Sequence, residues 1–491
     1  MRYVFLFLLI CLGGFTFGQN NELSKEEASE DIEVVISALE SCHPGLEIHL
    51  DDSQIQTIYS ELRASSKKAI PLDDFHNLIL ESISKIKDGH TDLFEGKRYR
   101  QVYPDQDQIL PFKYRILDGK VYISKSLKSG LDVEDFSEIK SINGDEIDDI
   151  LNVLETMTPA DGGNIGFKHA YNEKVFGRQY AKFFGAADQY ELELFTSDRL
   201  DQKIVAMAVH DSVVHFEGGQ DAPMELEINR SGNYATLTVN TFQYQMIRRS
   251  GLDYHEFLKS SFKKLKKEQI GNLVIDVREN YGGDNILGLT LYSFLTTESF
   301  KWMNPSESKV IGKNEVSEYS NYPEGNPPFV KTHGFELLDS ATHKVYNGID
   351  SRDEYDSNLM FKGPGARTEN IAKFKFKGSV FVLTSGMTFS AGAIFSAKMY
   401  DSERAVFIGE ETGGAHSEFC GGGFYRVTLP NSKFVLQIPF MKRSISVKAS
   451  VEKTTGTVPH HIVKPNIESV SSGADPALEK ALELIGRRTD R

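Results

Sequence analysis

Cysteine and tryptophan are scarce in this chain of 491 residues, with three and one respectively. Three thiols cannot build the dense disulfide framework of a small secreted scaffold, so a hydrophobic core must hold the fold. Proline is also sparse, at 16, and the 40 glycines follow no fixed period, which excludes collagen-like and low-complexity architectures. Basic charge is in deficit: 55 Lys and Arg stand against 70 Asp and Glu, for a net charge of −15. That balance excludes a basic nucleic-acid-binding domain, because phosphate binding draws on Lys and Arg. Past the N-terminus no apolar run approaches the ~20 residues that span a membrane. A Gly-x-x-x-x-Gly-Lys phosphate loop is missing. His460-His461 and Cys42-His43 lack companion ligands at metal-site spacing. The sequence therefore points to no metal and no cofactor.

The N-terminus has the grammar of a secretory signal. Arg2 supplies a positive start, Val4–Leu12 a short apolar run, and Thr16-Phe17-Gly18 the small residues that precede cleavage before Gln19. Ile10 stands before Cys11 where lipidation would want a small residue, so no lipid anchor is expected. The mature chain is expected to be exported, to a periplasm or the exterior. Cys42 and Cys420 then remain, and their spacing alone does not show whether they bond.

At ~150 residues per domain the length implies about three domains. Residues 19–100 read as helical: Ile32, Val35, Ile36 and Leu39 recur at helical spacing, and the pattern from Leu72 to Ile86 is expected to stop at Asp88-Gly89. Residues 101–218 form a smaller β/α module. Its strands are read at Val121–Ile123 and Glu138–Ile142, with a tight turn at Asn143-Gly144-Asp145 and a helix from Asp148 to Leu154. Residues 219–470 turn α/β. The nearly continuous apolar run Leu273–Val277 reads as a strand covered on both faces, and 380–408 as a strand–helix–strand crossover. The polar, Gly- and Pro-rich stretch 303–370 reads as a surface insertion, and 471–491 as a C-terminal helix or tail.

Three segments have the residue types for chemistry, each with an ordinary alternative. Ser390, in Thr388-Phe389-Ser390-Ala391-Gly392, joins a buried strand to a helix. It is either an N-cap, or a nucleophile at a helix N-terminus where the Ala391 amide and the dipole would stabilise an oxyanion. Gly282-Gly283 follows the strand at 273–277. It is either a turn, or an oxyanion donor at the carboxyl end of a parallel strand, where ligands of open α/β sheets bind. His90 is either a partner for the end of a helix or the near-neutral base that a serine hydroxyl needs.

Taken together, five segments resemble the C-terminal-processing (tail-specific) serine peptidases, in particular the tricorn-core-like branch. They are Asp88-Gly89-His90-Thr91, Ile275–Gly283, Val382–Ala391, Ile408–Gly414 and Gly456-Thr457-Val458-Pro459, in the family's order. The resemblance implies an α/β multi-domain fold: a crotonase-like ββα-spiral peptidase core, a PDZ-like module and a helical N-terminal domain. The lysine of the family's Ser-Lys dyad is absent, because Thr412-Gly413-Gly414 leads to Ala415. The tricorn-like branch implies instead a Ser-His-Glu triad, with Ser390 as nucleophile, His90 as base and Glu452 as orienting carboxylate. Gly282 or Gly283 together with Ala391 would form the oxyanion hole, and His416 is a fallback base. The expected activity is hydrolysis of peptide or unfolded protein substrates through an acyl-enzyme. A non-catalytic binder of hydrophobic or peptide ligands on the same fold is the alternative, and a non-peptide ester substrate a weaker one.

Overall fold

Ser24 starts the first helix. Its hydroxyl accepts the Glu27 N–H while the Glu27 carboxylate accepts the Ser24 N–H, a reciprocal capping box. Helix α1 (Lys25–Cys42) then buries Ile32, Val35, Ile36 and Leu39. Asp51 and Gln54 repeat the device ahead of α2 (Asp52–Ser65), and α3 spans Leu72–Ser84. The helix therefore stops earlier than Asp88-Gly89, and the left-handed residue after it is Lys87 (φ 63°), not Gly89. Close approach is what Gly89 provides: a Cβ there would lie 2.9 Å from the Phe389 ring and 3.2 Å from the Asp161 amide.

The structure, a computed structural model, describes residues 21–103, 107–128, 130–196, 198, 201–213, 222–309, 312–324, 335–339, 344–347, 354–361, 368–448 and 456–489. The signal segment 1–18 and Glu452 lie outside the described residues.

The second region is an antiparallel sheet with two helices. Strands β1 (Phe112–Leu117), β2 (Lys120–Ser126), β3 (Ser137–Ile142), β4 (Gln189–Phe195) and β5 (Asp201–Met207) run in the order β5-β4-β3-β2-β1. After β3, Asn143 (φ 52°) and Gly144 (φ 91°) make the tight turn that their sequence demands. Helices α4 (Ile147–Met157) and α5 (Ile165–Phe184) follow. The long α5 is not legible in the apolar pattern: polar Asn172 and small Gly177 and Ala181 share its buried face with Phe167, Phe176 and Tyr180.

The third region is built on a six-stranded sheet of β6 (Met224–Asn229), β7 (Tyr234–Val239), β8 (Asn272–Asp276), β9 (Ser379–Thr384), β10 (Val406–Gly409) and the short strand His461–Ile462. Only β6 pairs antiparallel. From β7 onward the strands are parallel, with Leu237, Ile275, Val382 and Phe407 in register across four of them. Helices α6 (Tyr254–Lys267), α7 (Asn285–Leu295) and α8 (Ala391–Asp401) supply the apolar residues that cover it. A second sheet carries the long hairpin β11 (Glu418–Thr428) and β12 (Val435–Ser444). Tyr425, Val427, Leu436 and Ile438 of this hairpin share a core with α1, α2 and α3. The buried carboxylate of Asp31 accepts the N–H groups of Asn431 and Ser432, each at 2.8 Å, at the hairpin turn.

The stretch from 303 is not a surface excursion where it is described. Trp302 and Met303 are fully buried, Glu307 pairs with Lys442 of β12, and Tyr355 and Met360 join the main core. The C-terminal helix α9 (Pro476–Thr489) packs Ala477, Ala481 and Ile485 against Val274, Phe381 and Ile408. Cys42 and Cys420 are both free and buried.

Candidate active site

The turn from β9 to α8 carries Ser390 and is fastened from outside. Thr388 Oγ1 donates to Val277 O at 2.8 Å, Ser385 Oγ to Arg278 O at 2.6 Å, and Phe389 N to Asn280 O at 3.0 Å. Held this way, Ser390 adopts φ 48° and ψ −120°, a left-handed conformation that costs a non-glycine residue about 1–3 kcal/mol. Its hydroxyl caps nothing on α8. It lies instead 3.2 Å from Nε2 of His90, 300 positions away in sequence. The capping reading of Ser390 therefore fails on geometry.

Strand addition brings His90 there. Asp92–Phe94 pairs antiparallel with β12, Gln437 opposite Asp92, so the loop just before it is carried by the second sheet. The His90 N–H donates to Asp88 Oδ1 at 3.2 Å, and the imidazole stacks on Phe389 with ring centres 4.7 Å apart. Phe419 and Phe424 flank the ring at 6.1 and 6.3 Å. Burial pushes the His90 pKa down, the Asp88 charge partly offsets this, and Arg443 lowers it further, so the ring rests neutral. With Nε2 accepting the serine proton, Nδ1 carries the hydrogen, and this buried Nδ1 has no hydrogen-bond partner among the described residues.

The oxyanion candidates separate. Ala391 N–H opens α8 beside Ser390 and has no acceptor among the described hydrogen bonds, and the same holds for exposed Gly283. Gly282 N–H, by contrast, is spent on Asn280 Oδ1 at 3.0 Å. What Gly282 contributes is room: φ is 108°, and a Cβ would lie 2.7 Å from Ser390 Cβ. The fallback base is elsewhere engaged. His416 Nδ1 pairs with Thr457 Oγ1 at 2.9 Å, and the structure gives it no bond to Ser390.

Sequence reasoning missed the shell behind His90. Gly45 N–H donates to His43 Nδ1 (3.2 Å), so His43 Nε2 is the protonated nitrogen, and it donates to Asp88 Oδ2 at 2.9 Å. Thr91 Oγ1 donates to the same oxygen at 2.5 Å. Burial pushes the Asp88 carboxyl up, but the bond from His43 and the neighbouring histidines outweigh it, and the net shift is downward. Asp161, from the loop between α4 and α5, accepts Gly89 N–H at 2.8 Å and Ala415 N–H at 3.3 Å. Asp88 at least stood in a motif, whereas nothing around Asp161 marked it.

Two sets of side chains bring potential ligand atoms within 4.8 Å of one another: His43, Asp88 and Cys420, and Asp88, His90 and Asp161. Neither suits a metal as it stands. The His43, Asp88 and Asp161 atoms are spent on hydrogen bonds, and burial drives the Cys420 thiol well above its ordinary pKa, away from the thiolate a metal binds.

This geometry, a serine hydroxyl on a strained strand-to-helix turn facing a half-buried neutral imidazole, defines the class of serine hydrolases. Residues 233–418 match the family model of Peptidase family S41, from the start of β7 to the start of β11, with Gly282 and Ser390 inside the match. Residues 233–418 are thus similar to the S41 serine-type peptidases, and the resemblance to the C-terminal-processing peptidase family read from the motifs is borne out. No curated protein matches the chain. Among solved structures, mature CPAF complexed with lactacystin is similar at 13% identity and TM-score 0.62, covering 94% of this chain and 97% of that one. A CPAF mutant reaches TM-score 0.64 with the same identity and coverage. A putative peptidase from Parabacteroides merdae aligns over 94% of this chain and 97% of its own at 14% identity, with TM-score 0.45. At such identities the CPAF likeness is one of fold: a mixed α/β, multi-domain architecture. Among the described residues no helix is long and apolar enough to cross a membrane.

Proposed function

We propose that the protein is an exported serine peptidase that cleaves peptide bonds through an acyl-enzyme. The observation that carries this reading is the 3.2 Å approach of Ser390 Oγ to Nε2 of a neutral, half-buried His90. As Oγ attacks the substrate carbonyl carbon, His90 Nε2 takes the hydroxyl proton. The carbonyl oxygen becomes an oxyanion facing Ala391 N–H and Gly283 N–H, each such donor being worth ~3 kcal/mol, about a hundredfold in rate. Collapse expels the amine, which leaves with the proton from His90. Water then repeats the sequence on the ester and restores Ser390.

Protonated His90 needs a partner for Nδ1–H, and the orphaned Nδ1 supports Glu452 as that partner, completing a Ser-His-Glu triad. In this reading the mostly parallel sheet of the third region is a crotonase-like core and the antiparallel module of the second region is PDZ-like. The substrates are peptides or unfolded proteins, met after the signal at 1–18 has directed export.

The test is covalent labelling with a fluorophosphonate, followed by peptide mapping. The parent should carry the adduct on Ser390, and Ser390→Ala should carry none while losing essentially all hydrolysis of an unfolded protein substrate. A folded parent that takes no label at Ser390 would remove the peptidase reading and leave the binding-module alternative.

A further inference from the structure

Asp161 has no place in the three-residue mechanism, yet it touches the backbone on both sides of the reacting pair. It is 4% exposed and lies in the second region. Its Oδ1 accepts the N–H of Gly89, the residue before His90, at 2.8 Å, and its Oδ2 accepts the N–H of Ala415 at 3.3 Å. Ala415 follows Gly414, whose own N–H donates to Thr388 O at 3.2 Å, two residues before Ser390. The next residue along, Gly162, donates its N–H to Lys87 O at 2.9 Å, so the same turn also grips the end of α3. We infer that Asp161 is a positioning residue for the reaction, its carboxylate clamping the His90 loop to the turn beside Ser390. This rests on the reading of Ser390 and His90 as nucleophile and base.

Only a carboxylate can fill the position. Both facing groups are N–H donors, and a carboxylate offers an acceptor oxygen to each, whereas the amide of asparagine must present NH₂ to one of them. Among the described hydrogen bonds, no other side chain bonds the backbone of both segments at once. The electrostatics point the same way. An oxygen of Asp161, one of Asp88 and a ring nitrogen of His90 lie within 4.8 Å of one another. An imidazolium formed during catalysis therefore appears beside both carboxylates, which favour it. Burial and the Asp88 charge raise the Asp161 pKa to about 7. Below that pH one oxygen becomes a hydroxyl facing an N–H, and the clamp loses a side. The other titratable groups facing Asp161 are His90, Cys420 and Tyr281, with Lys87 on the adjoining turn and His43 behind Asp88. Arg443 acts on His90 from β12.

The experiment compares the parent with Asp161→Asn by two readouts. The first is the fluorophosphonate labelling rate as a function of pH. Asp161→Asn should label about 10- to 100-fold more slowly on the plateau, as expected for a loosened base–nucleophile geometry. Its acid limb should move to lower pH, because the transition near 7 is gone and only the depressed His90 titration remains. The second readout needs no activity: NMR titration of the His90 ring in Ser390→Ala, assigned through His90→Gln. In Ser390→Ala the ring should report the Asp161 transition near 7 as a step distinct from the depressed His90 titration, and adding Asp161→Asn should abolish that step. Parent-like labelling with an unmoved acid limb would overturn the assignment. So would slower labelling that tracks only the folded fraction while the step near 7 persists in the ring titration. A parent that takes no label sinks the peptidase reading, and the ring titration then decides Asp161 by itself.

Discussion

Replacing Gly282 by alanine should disable the site without dismantling the fold. The added Cβ would sit 2.7 Å from Ser390 Cβ and 3.0 Å from both Ala391 N and Phe389 O. Ordinary contacts begin near 3.4 Å, so the Ser390 turn and the 280–283 loop must separate by several tenths of an ångström. Neither side yields easily. The turn is fastened by Thr388, Ser385 and Phe389, and the loop by Asn280, whose Nδ2 donates to Val239 O at 3.0 Å. Alanine at φ 108° adds about 1–3 kcal/mol of backbone strain. The expected stability loss is ~2–4 kcal/mol, still within the reserve of an ordinary domain. A displacement approaching 1 Å at the nucleophile costs about a hundredfold in rate. Labelling by a fluorophosphonate should therefore slow by about two orders of magnitude in protein that still unfolds cooperatively.

Gly288 is the built-in control. It lies inside α7 near the same helix, but a Cβ there would meet Phe395 Cβ at 3.5 Å and Ala391 O at 3.6 Å, ordinary contacts. Gly288→Ala should keep the labelling rate and gain about 0.5–1 kcal/mol from helix propensity. Parent-like labelling in Gly282→Ala, or equal damage in both variants, would show that close packing at Gly282 does not set the nucleophile.

Two further outcomes concern the frame. Arg278 donates to both Asp276 and Asp475, at 2.6 and 2.7 Å from Nη2, tying β8 to the start of α9. Arg278→Met should cost ~2–3 kcal/mol in denaturant unfolding, below the 3–5 kcal/mol of a fully buried pair because these side chains remain partly solvated. Burial raises the Asp475 pKa, but the Arg278 bonds outweigh it and the net shift is downward. The parent's advantage should therefore be complete above the unfolded Asp pKa of about 3.9 and shrink as pH falls through the folded value; a pH-independent gap would refute the ion-pair account. The cysteines give the second outcome. Alkylation without reductant should modify both Cys42 and Cys420 after unfolding and neither in the native protein, whereas a Cys42–Cys420 disulfide found by mass spectrometry would contradict the structure.

How much of this was legible depends on whether a residue's task is local. Leu273–Val277 announced a doubly covered parallel strand because burial on both faces leaves no polar alternation, and the structure sets β8 between two parallel neighbours. Asn143-Gly144 announced its turn because positive φ at both positions selects those residues. Ser390 and His90 were legible as motifs, but not as a pair, since no periodicity relates positions 300 apart. Ser390 misled as a cap for a physical reason. The sequence of an N-cap and of a nucleophile at a helix N-terminus is the same, and only the φ of 48°, imposed by three hydrogen bonds from 277–280, turns the hydroxyl away from the helix. Asp161 was invisible because its partners are backbone amides, and a backbone amide leaves no signature in sequence.

The same contrast explains why three regions converge on one hydroxyl. The parallel sheet alone can deliver Ser390, its turn and the Ala391 amide, because all three belong to one strand–helix junction. It cannot deliver the base. That group arrives on a chain segment anchored twice, by Asp92–Phe94 along β12 and by the α1–α3 core packed against the hairpin. Each anchor fixes the segment to the second sheet, not to the Ser390 turn. A hydrogen bond of 3.2 Å between Ser390 and His90 is too weak to align the two bodies by itself, contributing about 1 kcal/mol net. Stacking of His90 on Phe389 sets the ring plane, and Asp161 joins the loop to the turn through rigid backbone. The reactive geometry is thus a property of how the regions dock, and substitutions at docking contacts should alter rate before they alter fold.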